Sequence, residues 1–163
     1  MEQRLRAEAD RYFEQYLRKI GVCVALLSEE QVWWRANESC NSVGNLLLHL
    51  SGNLSQWVLA TLGGRAYDRR RAEEFRAREG APKDELLARL AEVVSATRAV
   101  IASLGAADLE RARHVQGYDT DGLGIVFHVV EHMSYHTGQI VAATKQLTGP
   151  DAAIEFYPQH RNE

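Results

Sequence analysis

The sequence predicts an all-α protein built as a four-helix bundle, and three observations carry that expectation. Only three prolines interrupt its 163 residues. Long stretches are rich in Ala, Leu, Arg, Glu and Gln, the side chains that lose least freedom on entering a helix. Apolar residues recur at three- and four-residue steps along four separate runs, as one buried helical face requires. Four such faces on one short chain are most simply buried against each other.

The first run, Glu2 to Leu27, carries Leu5, Ala9, Tyr12, Phe13, Tyr16, Leu17 and Ile20 on one face. Ser28, followed by Glu29, Glu30 and Gln31, reads as the N-cap of a short second helical piece. Asn41 and Ser42 are both credible caps for the apolar run Val43 to Leu62, which Gly63-Gly64 closes with a left-handed turn. Residues 65–80 mix Arg, Asp and Glu with few apolar anchors and read as a solvated connection containing helical pieces. Any anion-binding role for Arg69-Arg70-Arg71 is offset by Glu73 and Glu74. Pro82 opens a third long stripe that stops near Gly105. A connection containing His114, Gly117 and Tyr118 leads to a fourth run from about Gly122 to Leu147, ended by Gly149-Pro150. The expected organisation is one domain over residues 1–150 and a C-terminal tail over 151–163, in which His160 is solvated.

A formal charge of -3 sets up no general field that would attract nucleic acid or an anionic membrane. No apolar signal core follows Met1, and no stretch approaches the roughly 18 apolar residues that would span a bilayer. The expectation is a cytoplasmic protein. Cys23 and Cys40 lack a paired spacing, so no disulfide is expected; Cys23 reads as a small core residue and Cys40 as part of the loop before the next helix.

Chemistry concentrates in the fourth run, where His128, His132 and His136 recur at steps of four along one face. Adjacent members can share an ion. All three cannot, because His128 and His136 are separated by about 12 Å of helical rise. Another ligand must then come from another helix, and His49 lies in the most apolar part of the second run, where an unpaired imidazole is costly to bury. Taken alone, His49 is equally well explained as a hydrogen-bonded core histidine. Asn45 and Asn53, four residues to either side, suggest a polar cavity or partners that orient the imidazole. His128 reads as a pocket-lining or hydrogen-bonding residue, Gln139 as a partner of the site or of a substrate, and Glu131 as a weak general base turned about 100° from His132. Trp57, Tyr118 and Tyr135 are candidates for an apolar mouth or, equally, for packing in the core or at an interface.

These motifs, Asn41-Ser42-Val43, Leu48-His49-Leu50-Ser51-Gly52-Asn53 with Gln56-Trp57, and Val129 through Ile140 with Lys145, resemble the DinB-like (DinB/YfiT-like) superfamily of metalloenzymes. The resemblance covers nearly the whole chain. It implies an up-up-down-down-type bundle whose ligands match His49, His132 and His136. Some members of that superfamily are transferases or isomerases that use a low-molecular-weight thiol, and many have no established reaction. No DNA-binding role is carried over.

Three imidazoles leave positions open on a divalent ion, as in catalytic rather than closed zinc sites. They suit Zn²⁺ or Ni²⁺, or Fe²⁺ or Mn²⁺ with added waters. The expectation is a metal-dependent thiol S-transferase or hydrolase acting on a small electrophilic molecule. The alternative is a non-catalytic bundle whose ion is structural or regulatory. A homodimer is expected from the resemblance and from the aromatic surface of Trp33, Trp34 and Trp57.

Overall fold

The computed structural model describes residues 1–152 and 154–157, and His160 lies outside the described residues. The chain is mostly helical, with one small two-stranded sheet. Helix α1 spans Glu2–Leu26 and buries Ala9, Phe13, Ile20, Cys23 and Val24. The short helix α2, Glu29–Trp33, starts at the expected cap: Ser28 and Gln31 form a reciprocal capping box that satisfies two amide donors. Of the two candidate caps for the next helix, Ser42 is the one used, and α3 runs over Val43–Leu54 with nearly every residue buried.

The expected continuation of that helix to Leu62 is present in altered form. Residues Ser55–Ala60 form a π-helical turn. There the carbonyl of Gln56 accepts both the backbone N–H of Thr61, at 3.2 Å, and its hydroxyl, at 2.9 Å. Such a turn inserts extra backbone and re-aims the side chains on it. The run then closes at Gly64, which has φ 71°, as the glycine pair predicts.

Helix α4 follows over Arg71–Arg76, α5 over Lys83–Ser103, and α6 over Ala106–Glu110. Lys83 Nζ donates to the carbonyls of Val24 and Leu27, supplying donors to the end of α1 that its own helix cannot. Arg98 grips Asp10 with two bonds of 2.6 and 2.9 Å and ties α5 to α1. Two elements go beyond the all-α expectation. Strands β1, Ala112–Val115, and β2, Tyr118–Asp121, pair antiparallel with Val115 opposite Tyr118. The two turn residues, Gln116 at φ 53° and Gly117 at φ 81°, both lie in the left-handed region, which matches the twist of a tight hairpin.

Helix α7, Gly122–Thr148, is capped by Asp121, whose carboxylate accepts from the Gly124 amide at 2.7 Å. The four long helices close on one another: α1 packs against α5 and α7, and α3 packs against the same two. Their shared core includes Phe13, Ile20, Leu47, Leu50, Leu90, Ile125, Met133 and Ile140. Both cysteines are free, with Cys23 buried in that core. Among the described residues, no helix is long and apolar enough to cross a membrane.

Candidate metal centre

His49 leaves the middle of α3 toward α7 and is buried. It meets His132 and His136, which lie one turn apart on α7. Nε2 of His132 is 3.0 Å from Nε2 of His49 and 3.2 Å from Nε2 of His136. Two nitrogens bound to one ion at about 2.05 Å sit roughly 2.9–3.4 Å apart in octahedral or tetrahedral geometry, so these separations fit a shared ion. The ligand atoms of the three residues all lie within 4.8 Å of one another, and they form a group able to hold a metal ion.

The outer nitrogens decide which lone pairs face inward. His49 Nδ1 is 3.0 Å from Glu74 Oε2, and His136 Nδ1 is 2.7 Å from Gln139 Oε1. Gln139 Oε1 accepts, so the His136 ring donates through Nδ1–H and turns a bare Nε2 toward the centre; His49 does the same when its Nδ1–H goes to the Glu74 carboxylate, with Arg69 Nη2 3.1 Å from the same nitrogen. His132 Nδ1 is buried with no hydrogen-bond partner among the described residues. A proton on His132 Nε2 can serve only one of its two neighbours, which leaves a concentration of electron pairs that a cation relieves. Protons do so poorly: burial, then the neighbouring His136, His49 and His128 rings and Arg69, push the His132 pKa down to about 2. Burial also lowers that of His136, against the opposing bond to Gln139. Neutral imidazole is the form a metal needs.

Glu74 and Arg69 were not legible in the sequence. Residues 65–80 read as a solvated connection, and this is corrected: the Arg69 side chain is 3% exposed and the Glu74 side chain 10%. Arg69 Nε donates to Glu74 Oε1 at 2.8 Å and Arg69 Nη2 to Oε2 at 2.9 Å, a bidentate fork that compensates both charges. Burial alone would raise the Glu74 pKa, but the bonds from His49 and Arg69 hold it below the usual carboxylate range. The pair fits against α3 because residue 52 is glycine. A Cβ there would stand 2.1 Å from Glu74 Oε1.

Asn45 sits apart from the metal-facing nitrogens. It completes the Ser42 capping box, and its amide donates to the backbone carbonyls of Glu74 at 2.8 Å and Ala77 at 2.9 Å. It thereby anchors the segment that carries Glu74. Asn53 Nδ2 lies 3.3 Å from His128 Nε2, and the His128 ring packs against Trp57 with centroids 3.9 Å apart and planes tilted by 35°. His128, its pKa lowered chiefly by burial, lines a cavity of about 400 Å³ beside His49 and His132. Trp57 and Tyr118 line that cavity as well, whereas Tyr135 is exposed beside His136. The π-helical turn directs Gln56 to a junction, where its Oε1 accepts from Arg69 Nη1 at 3.1 Å and from Gln116 of the hairpin at 2.5 Å. Glu131 is exposed. His114 pairs with Asp119 at 2.7 Å on the hairpin, both side chains exposed.

A family model described as a protein of unknown function (DUF1572) matches residues 3–155. The chain belongs to the DUF1572 family. No curated protein matches the sequence. The matched span of DUF1572 takes in all three clustered histidines together with Arg69, Glu74 and Gln139, so the centre and its hydrogen-bonded surround fall within the family's own region.

Proposed function

We propose that this DUF1572 protein is a metal-dependent enzyme with a DinB/YfiT-like four-helix bundle formed by α1, α3, α5 and α7. It would hold one divalent ion through His49, His132 and His136 and act on a small electrophilic molecule by thiol S-transfer or hydrolysis. The convergence of three Nε2 atoms at 3.0 and 3.2 Å carries the reading. The cavity beside two of the three rings favours an open site over a closed structural one. When bound, the ion supplies Lewis acidity and makes a water or thiol acidic near neutral pH.

The protein's own groups supply orientation. Glu74 holds His49 in the tautomer with a free Nε2, Gln139 does the same for His136, and Arg69 keeps the Glu74 carboxylate charged and in place. Trp57 and His128, in ring contact, form one wall of the cavity. Three nitrogen donors suit zinc or nickel, with iron or manganese as the harder alternatives. The test is elemental analysis of protein purified without an affinity tag, followed by a thiol-transfer screen with glutathione, bacillithiol and mycothiol. About one divalent ion per chain and turnover with one of these thiols are expected. Protein that neither retains nor takes up a transition metal refutes the proposal.

A further inference from the structure

We infer that the cavity beside the histidine cluster selects a ligand bearing a negative group, which the Arg71 guanidinium receives. The inference rests on the metal reading above and adds the chemical class of the ligand. The cavity's volume, about 400 Å³, is at the small end of the range for organic ligands. Its described lining contains two arginines, Arg69 and Arg71, and no aspartate or glutamate.

These two cations differ. Arg69 is committed: Nε and Nη2 bond Glu74, and Nη1 bonds Gln56. Arg71 makes no ion pair among the described residues. The nearby acid Glu73 pairs instead with Arg70, at 3.5 Å. The Arg71 guanidinium rests 4.9 Å above the Phe75 ring, and that ring packs on His49 with centroids 4.5 Å apart. Arg71 is otherwise exposed, and a guanidinium held over a ring face keeps its edge donors available, which suits a planar or trigonal anion.

The rest of the wall is neutral or apolar. Trp57 and Tyr118 lie with ring centroids 6.3 Å apart. Asn53 and Trp57, only 3% and 5% exposed, each keep a polar atom without a partner among the described residues, Oδ1 and Nε1. A fitting ligand has a metal-seeking atom at one end, a short stem, and a carboxylate- or sulfonate-like group at the other.

The test uses the full chain loaded with Co²⁺, titrated with 2-mercaptoethanesulfonate and with its neutral counterpart 2-mercaptoethanol. Binding is read from the absorption change when sulfur reaches the metal. Sulfonate is a poor metal ligand, so a preference reports the protein rather than chelation. The sulfonate thiol should bind about tenfold tighter, the scale of one charge-assisted contact. Arg71→Gln should abolish that preference and leave mercaptoethanol affinity unchanged, while Arg71→Lys should keep most of it. Equal affinities in the wild type, a preference that survives Arg71→Gln, or a parallel fall for both thiols in that variant overturns the inference. Failure to bind Co²⁺ overturns the metal reading and this inference with it, whereas Co²⁺ binding without charge preference removes the anion subsite alone.

Discussion

Replacing Glu74 by Ala removes the acceptor of three short bonds: 2.8 and 2.9 Å from Arg69 and 3.0 Å from His49. The larger consequence falls on Arg69, whose side chain is 3% exposed and would lose the carboxylate it pairs with. Removing one partner of a buried, hydrogen-bonded ion pair costs about 3–5 kcal/mol, because the remaining charge stays out of water. The remaining bond to Gln56 and entry of water place the expected loss toward the lower figure, about 3 kcal/mol. Replacing both partners by apolar residues, Arg69→Met with Glu74→Leu, removes the uncompensated charge and should recover most of the loss. The assay is urea unfolding of metal-free protein at pH 7.5, with the single variants and the pair run as a double-mutant cycle. A Glu74→Ala loss under about 1 kcal/mol, or a pair whose effect is the sum of its singles, would refute the claim that these residues act as one buried unit.

Three further outcomes are expected. Substituting His49, His132 or His136 by Ala should sharply lower metal stoichiometry while His128→Ala retains it, and unchanged metal content in His49→Ala would remove α3 from the site. Gly52→Ala gains about 1 kcal/mol of helix propensity. Its Cβ nevertheless displaces the Glu74 carboxylate, so metal affinity measured by chelator competition should fall about 10–100-fold, and an unchanged affinity would count against the Glu74–His49 bond as an orienting contact. The third outcome is acid sensitivity. The folded-state pKa values of His132, His136 and His128 are all lowered, so below the unfolded value near 6.5 the unfolded chain binds more protons. Stability of the metal-free protein is then fully present above that pH and is lost as pH falls, by up to about 1.4 kcal/mol per pH unit for each such ring. Urea midpoints that stay flat from pH 7 to pH 5 would contradict the burial of these rings.

The helices and their starts were written locally. Period-3.6 apolar runs marked α1, α3, α5 and α7, and short-range chemistry marked their ends: Ser28 and Ser42 as caps, Gly64 and Gly149 as left-handed stops. The clustered histidines were legible for a similar reason, since a step of four residues places His132 and His136 on one face and an imidazole amid leucines at His49 needs a partner. The hairpin was weakly signalled by Gln116-Gly117 alone, and its strands of four residues are too short for a period-2 pattern to stand out.

Tertiary structure alone decided the fate of the charged segment. Arg69 and Glu74 sit among residues of the same kinds, and nothing in their local pattern separates a buried pair from solvated neighbours such as Arg70 and Glu73. Their burial depends on a missing side chain at Gly52 and on two backbone carbonyls held by Asn45, contacts that span 22 to 32 residues of sequence. Periodicity reports which face of an element is apolar. It cannot report which charge finds its complement across the fold, because that energy exists only once both partners have been brought out of water together.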